Sequence, residues 1–370
     1  MSATTGVAAE EMAAEPISLT IGGNSHWGIA VVDNELDTAD ANGETDDLAI
    51  SNDVELRFAG STVLDSGVEV GIRIEIEGEQ SSDQGDETYM YIEGSFGTIR
   101  VGNDDPASYS MATAAPYATY FYGINTPYWV GSFSGGLNTA GSVSNWHSTF
   151  PDGAASNDDA SVMYFSPVIN GFQFGLSYAP EATKEARSAT ASRSDGGDLY
   201  GVGARYDGAF GDAGVTVSVG YASKDVPAVA AADAVPAEPG DPGKKAVTAK
   251  PGRTVTDWAA GVVVTMSGVS VGGSYRVTDS DVMGADDLVQ YDFGIMYGEG
   301  PWVVSANYGE KTQDDDGTGT TTDNGYARLM ANYNLGPGIN LAGVVGEDSF
   351  DVGTQKGDTT FAGIAMGISF

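Results

Sequence analysis

The sequence predicts an all-β chain folded as an antiparallel transmembrane barrel of about sixteen strands. Three observations predict it. Apolar residues alternate with a period of two through most of the chain. The connections between alternating segments are by turns long and short. Aromatic residues stand at both ends of several apolar faces, with aliphatic residues between them. A soluble sandwich also alternates, so the sorting of long and short connections carries more weight than alternation alone.

Composition narrows the field further. The 370 residues carry 52 Asp+Glu against 16 Lys+Arg, a formal net charge of -36. Nucleic-acid phosphates and an anionic leaflet would both repel such a chain. Cys is 0 and His is 2, which excludes a disulfide framework, a thiol nucleophile and a multi-histidine metal centre. Aromatics at 10% argue against disorder, and 52 glycines argue against long helices. No run approaches the ~18 apolar residues of a membrane helix. Residues 1–16 are small and acidic, without the basic and apolar regions of a signal peptide. The expectation is therefore a cytosolic protein or a mature chain whose signal has been removed.

The elements follow in order. Segments 16–32 and 50–64 are joined by the acidic stretch 33–49. Asp65-Ser66 turns the chain into 67–78, the cleanest case. There Val68, Val70, Ile72, Ile74 and Ile76 share one face, and Glu69, Gly71, Arg73, Glu75 and Glu77 share the other. After 79–86 come 87–95 and 96–103, meeting at Gly94-Ser95. The longest connection is 104–159. Segments 160–169 and 171–180 meet at Asn170-Gly171, and 198–209 and 213–224 at Gly211-Asp212. Segments 254–267 and 269–279 meet at Ser267-Gly268, and 287–298 and 302–311 at residues 298–300. Segments 325–335 and 339–347 meet at 336–338, and 359–370 ends the chain. The long joints are 33–49, 79–86, 104–159, 181–197, 225–253, 280–286, 312–324 and 348–358. The short ones are rich in turn residues that suit tight hairpins. A barrel whose two rims face different compartments has reason to sort its loops in this way.

Outward faces carry a depth pattern. Segment 302–311 places Trp302 at the short-turn end, Val304 and Ala306 between, and Tyr308 at the long-loop end. Tyr200 and Tyr206 bracket Val202 and Ala204 in the same way. Such bands match the interfacial girdles of a lipid-exposed wall. The outward faces of the first three segments and the last are mostly aliphatic, with few aromatics beyond Trp27, Phe58 and Phe370. That face is expected to be covered by protein, as at a subunit contact.

Two stretches carry a family likeness: residues 94–103, Gly94-Ser95-Phe96-Gly97-Thr98-Ile99-Arg100-Val101-Gly102-Asn103, and the C-terminal Gly367-Ile368-Ser369-Phe370. With the strand count and loop sorting, the chain resembles the Gram-negative general porins, most closely those of α-proteobacteria, over nearly its whole length. The resemblance implies a single 16-stranded barrel domain over 1–370. It would have short periplasmic turns, long external loops, and a third loop, 104–159, that folds inward to constrict the pore. It implies residence in the outer membrane among lipid and lipopolysaccharide, assembly as a homotrimer, and passive passage of small hydrophilic solutes and ions. Phe370 is similar to the terminal aromatic that the barrel-assembly machinery recognises.

The residues add detail to that picture. About sixteen strands enclose more space than side chains can fill, which leaves an aqueous channel. The loop 104–159 holds Tyr109, Tyr117, Tyr120, Phe121, Tyr122, Tyr128, Trp129 and Phe133, too aromatic to stay in water. An ordered external cap and an inward constriction both satisfy that composition. Arg57, Arg73 and Arg100 each sit between apolar neighbours. An arginine aimed at mid-bilayer lipid costs ~2–4 kcal/mol, so these three are expected to face the lumen. Glu55, Glu69 and Glu75 are the acids they would neutralise. Residues 106–151 contain no Asp or Glu, a departure from general porins that place acids on the inward loop. Asp104, Asp105, Asp152, Asp158 and Asp159 lie only near its ends. The expected site is thus a lumen set of Arg57, Arg73, Arg100, Glu55, Glu69, Glu75, Asp104, Asp105, Tyr120 and Tyr122, with a weak preference for cations.

No cofactor is expected beyond Ca2+ at the acidic rim. Asp314, Asp315 and Asp316 begin a calcium-like run, but the downstream bidentate Glu is missing. Segment 226–252, rich in Ala and Pro, reads as a flexible external loop. Three rival readings stay open. One is a sugar-selective channel with an aromatic track in the loop. Another is an outer-membrane hydrolase built on His26 or His147, although Ser25 should point away from His26. The third is a soluble adhesive sandwich.

Overall fold

The computed structural model describes residues 17–36, 48–78, 85–119, 149–151, 159–180, 197–228, 251–279, 287–315, 320–352 and 355–370. Sixteen strands run in chain order among them. The first five are β1 (Ser18–Leu36), β2 (Leu48–Val63), β3 (Glu69–Glu77), β4 (Gly85–Gly94) and β5 (Gly97–Asn103). A one-turn helix, α1 (Ala107–Ser110), opens the loop that follows. Then come β6 (Ala160–Phe165), β7 (Phe172–Ala179), β8 (Leu199–Phe210), β9 (Ala213–Val226), β10 (Arg253–Met266) and β11 (Val269–Asp279). The last five are β12 (Leu288–Glu299), β13 (Trp302–Asp315), β14 (Thr320–Gly336), β15 (Ile339–Val352) and β16 (Gln355–Ser369). Every strand pairs antiparallel with its sequence neighbours, and β1 pairs with β16 to close the barrel.

Closure follows from the backbone's need for partners. In hydrocarbon an unpaired N–H or C=O costs several kcal/mol, so a spanning sheet has no tolerable edge. The seam is finished by the last residue. Phe370 N donates to Gly23 O at 3.0 Å, and Gly23 N donates to Phe370 O at 3.0 Å. The hairpins at the short-turn rim follow the predicted turn chemistry. Asn170 and Gly171 have φ of 53° and 86°, and Ser267 and Gly268 have 51° and 81°. Two consecutive left-handed residues give the turn whose twist matches a two-residue hairpin.

The period-2 pattern sorts side chains as expected. Leu176, Val202 and Val262 point outward and are about half exposed, whereas their chain neighbours Ser177 and Gly261 point inward. The aromatic bands form two levels. Phe172 with Tyr206 and Trp302 with Tyr333 (ring centroids 4.6 Å apart in each pair) mark the short-turn rim. Tyr178 with Tyr200 (5.1 Å), Tyr221 with Trp258 (4.6 Å) and Tyr291 with Tyr308 (6.5 Å) mark the other rim. This is a lipid-facing band held between two interfaces.

Several strand boundaries depart from the periodicity; β1, for one, runs on to Leu36, into the expected joint 33–49. The expected long joint 312–324 is mostly paired strand, because β13 runs to Asp315 and β14 starts at Thr320. The joint 348–358 likewise shrinks to residues 353–354 between β15 and β16. Both hairpins extend through mostly polar residues, so the apolar alternation that marks a strand in the sequence is weak there. In β6 the difference has the opposite sign. The strand stops at Phe165, four residues short, because Pro167 has no N–H to continue the ladder.

An outward position such as Val262 tests the lipid-facing assignment. Val262→Arg should lower unfolding stability in bilayers by ~2–4 kcal/mol, measured by urea titration in liposomes. A cost below ~0.5 kcal/mol, the usual range for water-facing substitutions, would contradict the assignment.

Candidate functional site

The inner wall of the barrel is polar, and the loop after β5 lies against it. The loop folds inward, as expected of 104–159, and its described residues take a path along the wall rather than across open space. At its start Ala107 N donates to Ser177 Oγ of β7 at 3.0 Å. Ala107 and Met111 pack on Met163 and Phe165 of β6. Further on, Ala115 N donates to Asp292 Oδ1 of β12 at 2.9 Å. Asn307 Nδ2 of β13 donates to Pro116 O at 2.9 Å, and Ala118 N donates to Ser305 Oγ at 3.0 Å. Ala118 finally joins Met330, Val344 and Phe361 in an apolar cluster on β14, β15 and β16.

The returning limb is stitched to the outgoing one. Ser108 Oγ donates to Pro151 O at 2.8 Å, and the rings of Tyr109 and Phe150 meet edge to face at 5.0 Å. Thr149 Oγ1 donates to Asp292 Oδ2 at 3.0 Å. Asp292 therefore holds both limbs, and it also accepts from Ser274 N (2.7 Å) and Ser274 Oγ (2.7 Å). A buried carboxylate is costly unless its lone pairs are filled, and these donors fill them.

Small wall residues make room for this close approach. A Cβ on Gly261 would lie 1.9 Å from Thr113 O, and one on Gly203 would lie 2.6 Å from Ala107 O. These glycines form the bed of the loop, a use for glycine that strand periodicity does not reveal.

Opposite the bed, on β2, β3 and β5, the three predicted arginines face the lumen. Arg57 Nε lies 2.6 Å from Glu55 Oε1 and 3.3 Å from Glu75 Oε1. Arg73 pairs with Glu75 and reaches Glu87 at 3.8 Å. Arg100 Nη1 donates to Asp104 Oδ2 at 2.8 Å, and its guanidinium lies 5.0 Å from the Tyr89 ring centre and 4.9 Å from that of Phe165. Burial pushes the Asp104 carboxyl up from its ordinary value, and Arg100 pulls it part of the way back. Three guanidiniums thus face four carboxylates, Glu55, Glu75, Glu87 and Asp104. Farther round the wall, Arg276 pairs with Asp257 at 2.9 Å and Arg328 with Asp348 at 3.0 Å, both pairs deeply buried.

Other expected residues fall differently. Glu69 is not neutralised by an arginine; it accepts from Tyr91 Oη at 2.7 Å, because its position on β3 lies toward the short-turn rim. Asp105 keeps to the loop base, its N–H bonded to Asp104 Oδ1 at 3.0 Å. His26 faces inward 3.6 Å from Asp53, while Ser25 faces outward and accepts from Trp27 Nε1 at 2.9 Å. His26 and Ser25 do not come together. Tyr120, Tyr122, His147, Asp316, the side chains of Asp314 and Asp315, and most of segment 226–252 lie outside the described residues. Among the described residues no group of three or more His, Asp or Glu is placed to hold a metal ion. The loop anchors Asp292, Ser305, Asn307 and Ser177 were not singled out by sequence reasoning. Their only signal is a short polar side chain at an inward position.

Comparison with known proteins agrees with this architecture. A family model described as Gram-negative porin matches residues 1–353. No curated protein sequence matches the chain. Among solved structures, an anion-selective porin from Comamonas acidovorans aligns at 16% identity and a TM-score of 0.61, over 96% of this chain and 100% of that one. The trimer form of OmpT from Vibrio cholerae aligns at 14% identity and 0.60, over 96% and 100%. A mutant of Rh. blastica porin aligns at 15% identity and 0.54, over 95% and 100%. At these identities the likeness shows the fold.

If Asp292 anchors both limbs, Asp292→Ala should strip acceptors from Ala115, Thr149 and Ser274. The expected loss is ~1–3 kcal/mol, the cost of leaving buried donors unpaired, with increased open-state current noise in single-channel recordings. A quiet channel of unchanged stability would show that the loop is held elsewhere.

Proposed function

The chain belongs to the Gram-negative porin family, and on that premise we propose a water-filled outer-membrane channel for passive diffusion of small hydrophilic solutes and ions, weakly selective for cations. Residues 1–370 form one barrel domain in which 104–159 is the constriction loop. The channel catalyses no reaction. The observation that carries the selectivity is the pairing on the inner wall. Each of Arg57, Arg73 and Arg100 lies against a carboxylate of its own wall or of the loop base, and the four acids outnumber the three bases. A charged ring selects by its net field at close quarters, and a wall of paired charges with one acid in excess attracts cations weakly. The lack of acids on 106–151 removes the second pole of a transverse field.

The functional unit is a homotrimer set among outer-membrane lipid and lipopolysaccharide. The outward face of β1, β2, β3 and β16 supports this reading. It is largely aliphatic, and Ser25 and Asn52 point out from it next to Trp27. Polar groups on a wall otherwise made for lipid are better satisfied against protein.

Reversal potentials in a KCl gradient check the selectivity. Potassium should be favoured, and the double variant Glu55→Gln, Glu75→Gln should move the reversal potential toward that of chloride. A wild-type channel that prefers chloride would reject the proposal. Native mass spectrometry in mild detergent should show three chains, and a monomer alone would reject the trimer.

A further inference from the structure

Where the two limbs of the loop leave the wall, at the long-loop ends of β5 to β8, a small cavity lies on the inner face. Its volume of about 10 Å³ is that of one water-sized sphere. Asp104, Asp159, Ser161 and Ser177 line it, with Pro106 and two apolar side chains of β7 and β8. Asp104 stands on the outgoing limb, directly after β5, and Asp159 on the returning limb, directly before β6. The two are 4% and 2% exposed.

Ser161 is the unexplained member. It is 7% exposed, and its Oγ has no hydrogen-bond partner among the described residues. Its chain neighbour Val162 points outward and is half exposed, so Ser161 points inward, toward the cavity it lines. A buried hydroxyl left without a partner costs ~1–3 kcal/mol, so a hydroxyl in this position calls for a ligand. The other polar groups have acceptor capacity to spare. Asp104 Oδ2 accepts from Arg100 at 2.8 Å and Oδ1 from the Asp105 N–H at 3.0 Å, and each carboxylate oxygen has a second lone pair. Ser177 Oγ accepts from Ala107 N at 3.0 Å, which leaves one of its two lone pairs. No lining side chain carries an N–H, and Pro106 has none on its backbone.

We propose that this cavity binds one calcium ion, held by Asp104, Asp159, Ser161 and Ser177, which ties both ends of the loop 104–159 to the barrel wall. Hard cations of this class take oxygen ligands, carboxylates and hydroxyls among them. A water molecule fills the same volume but brings two hydrogens and no charge. It leaves two carboxylates facing one cavity at low dielectric, where like charges repel strongly. An ion of charge +2 between them replaces that repulsion with attraction, while Arg100 balances Asp104 from its other side. Calcium suits such a site better than magnesium, which demands near-ideal octahedral geometry. With two carboxylates and two hydroxyls, the affinity belongs in the weak range of extracellular modules, roughly 10⁻⁴–10⁻³ M.

The test is heat denaturation of the full chain in detergent, from EDTA through millimolar CaCl2 at constant ionic strength. Calcium should raise the wild-type Tm along a one-site curve. Asp159→Asn and Ser161→Ala should each raise the calcium concentration at half-effect about tenfold or more, since even partners one shell farther from a metal cost roughly 10–100-fold. Ser161→Ala carries the discrimination. In EDTA it should be at least as stable as the wild type, because an unpaired buried hydroxyl is gone; in calcium it should be less stable. If Asp159→Asn does not fold, Ser161→Ala decides alone. Neither readout uses conductance, so a channel that proves selective for chloride leaves this test intact. No rise in Tm with calcium, or a rise that Ser161→Ala keeps in full, would overturn the proposal; the second result would assign the effect to the acids of the rim.

Discussion

Everything in this molecule depends on the requirement that no strand keep an unpaired edge inside the membrane. The reciprocal bonds between Gly23 and Phe370 complete the circle of pairing. Once the circle is closed, side chains have two places to point, toward lipid or toward the lumen. The outward band becomes aliphatic with aromatic rims, and the lumen inherits the polar and charged groups. A closed wall of sixteen strands is also too wide for its own side chains to fill. A long insertion can then fold into the space, and the inner wall can carry a binding track for it.

The charge of -36 is distributed accordingly. Inside the barrel, the arginines are matched locally. Arg276 with Asp257 and Arg328 with Asp348 lie deep in the wall, where either charge alone would be strongly destabilising. Arg57, Arg73 and Arg100 are partly open to the lumen; Arg57 and Arg73 share Glu75, and Arg100 holds Asp104. Much of the surplus lies in the sequence between strands, as in 37–47 and 280–287, and in a recess at the rim. The outward band is left without charge, as the low dielectric of the bilayer requires.

The barrel was legible in the sequence wherever one face of a strand met hydrocarbon. Val68 to Ile76 is readable because alternate residues meet opposite solvents. The same rule aimed Arg57, Arg73 and Arg100 inward, on the face they share with Glu55 and Glu75. It failed where both faces meet water, so the hairpin ends near Asp315 and Val352 were read as loops. The loop's inward fold was foreshadowed by its aromatic, acid-free composition. Its anchors were not, because Ser177, Asp292 and Ser305 each look like an ordinary lumen residue until the loop is laid over them. Glycines such as Gly261 were counted only as poor helix formers, whereas their value lies in what passes across them.

The anchoring of the loop has a consequence for the order of assembly. Ala115 and Asp292 are 177 positions apart, and Ala118 and Ser305 are 187 apart. Contacts so distant along the chain carry a large loop-closure penalty and form slowly. The strands that offer these acceptors acquire a fixed position only when the sheet has curled and sealed. Those contacts are therefore expected to form after closure, inside a vessel already formed. An immature barrel, sealed but not yet fitted with its inner segment, would be a wider and less discriminating hole. The cell would be exposed to that hole for as long as the loop took to find its track.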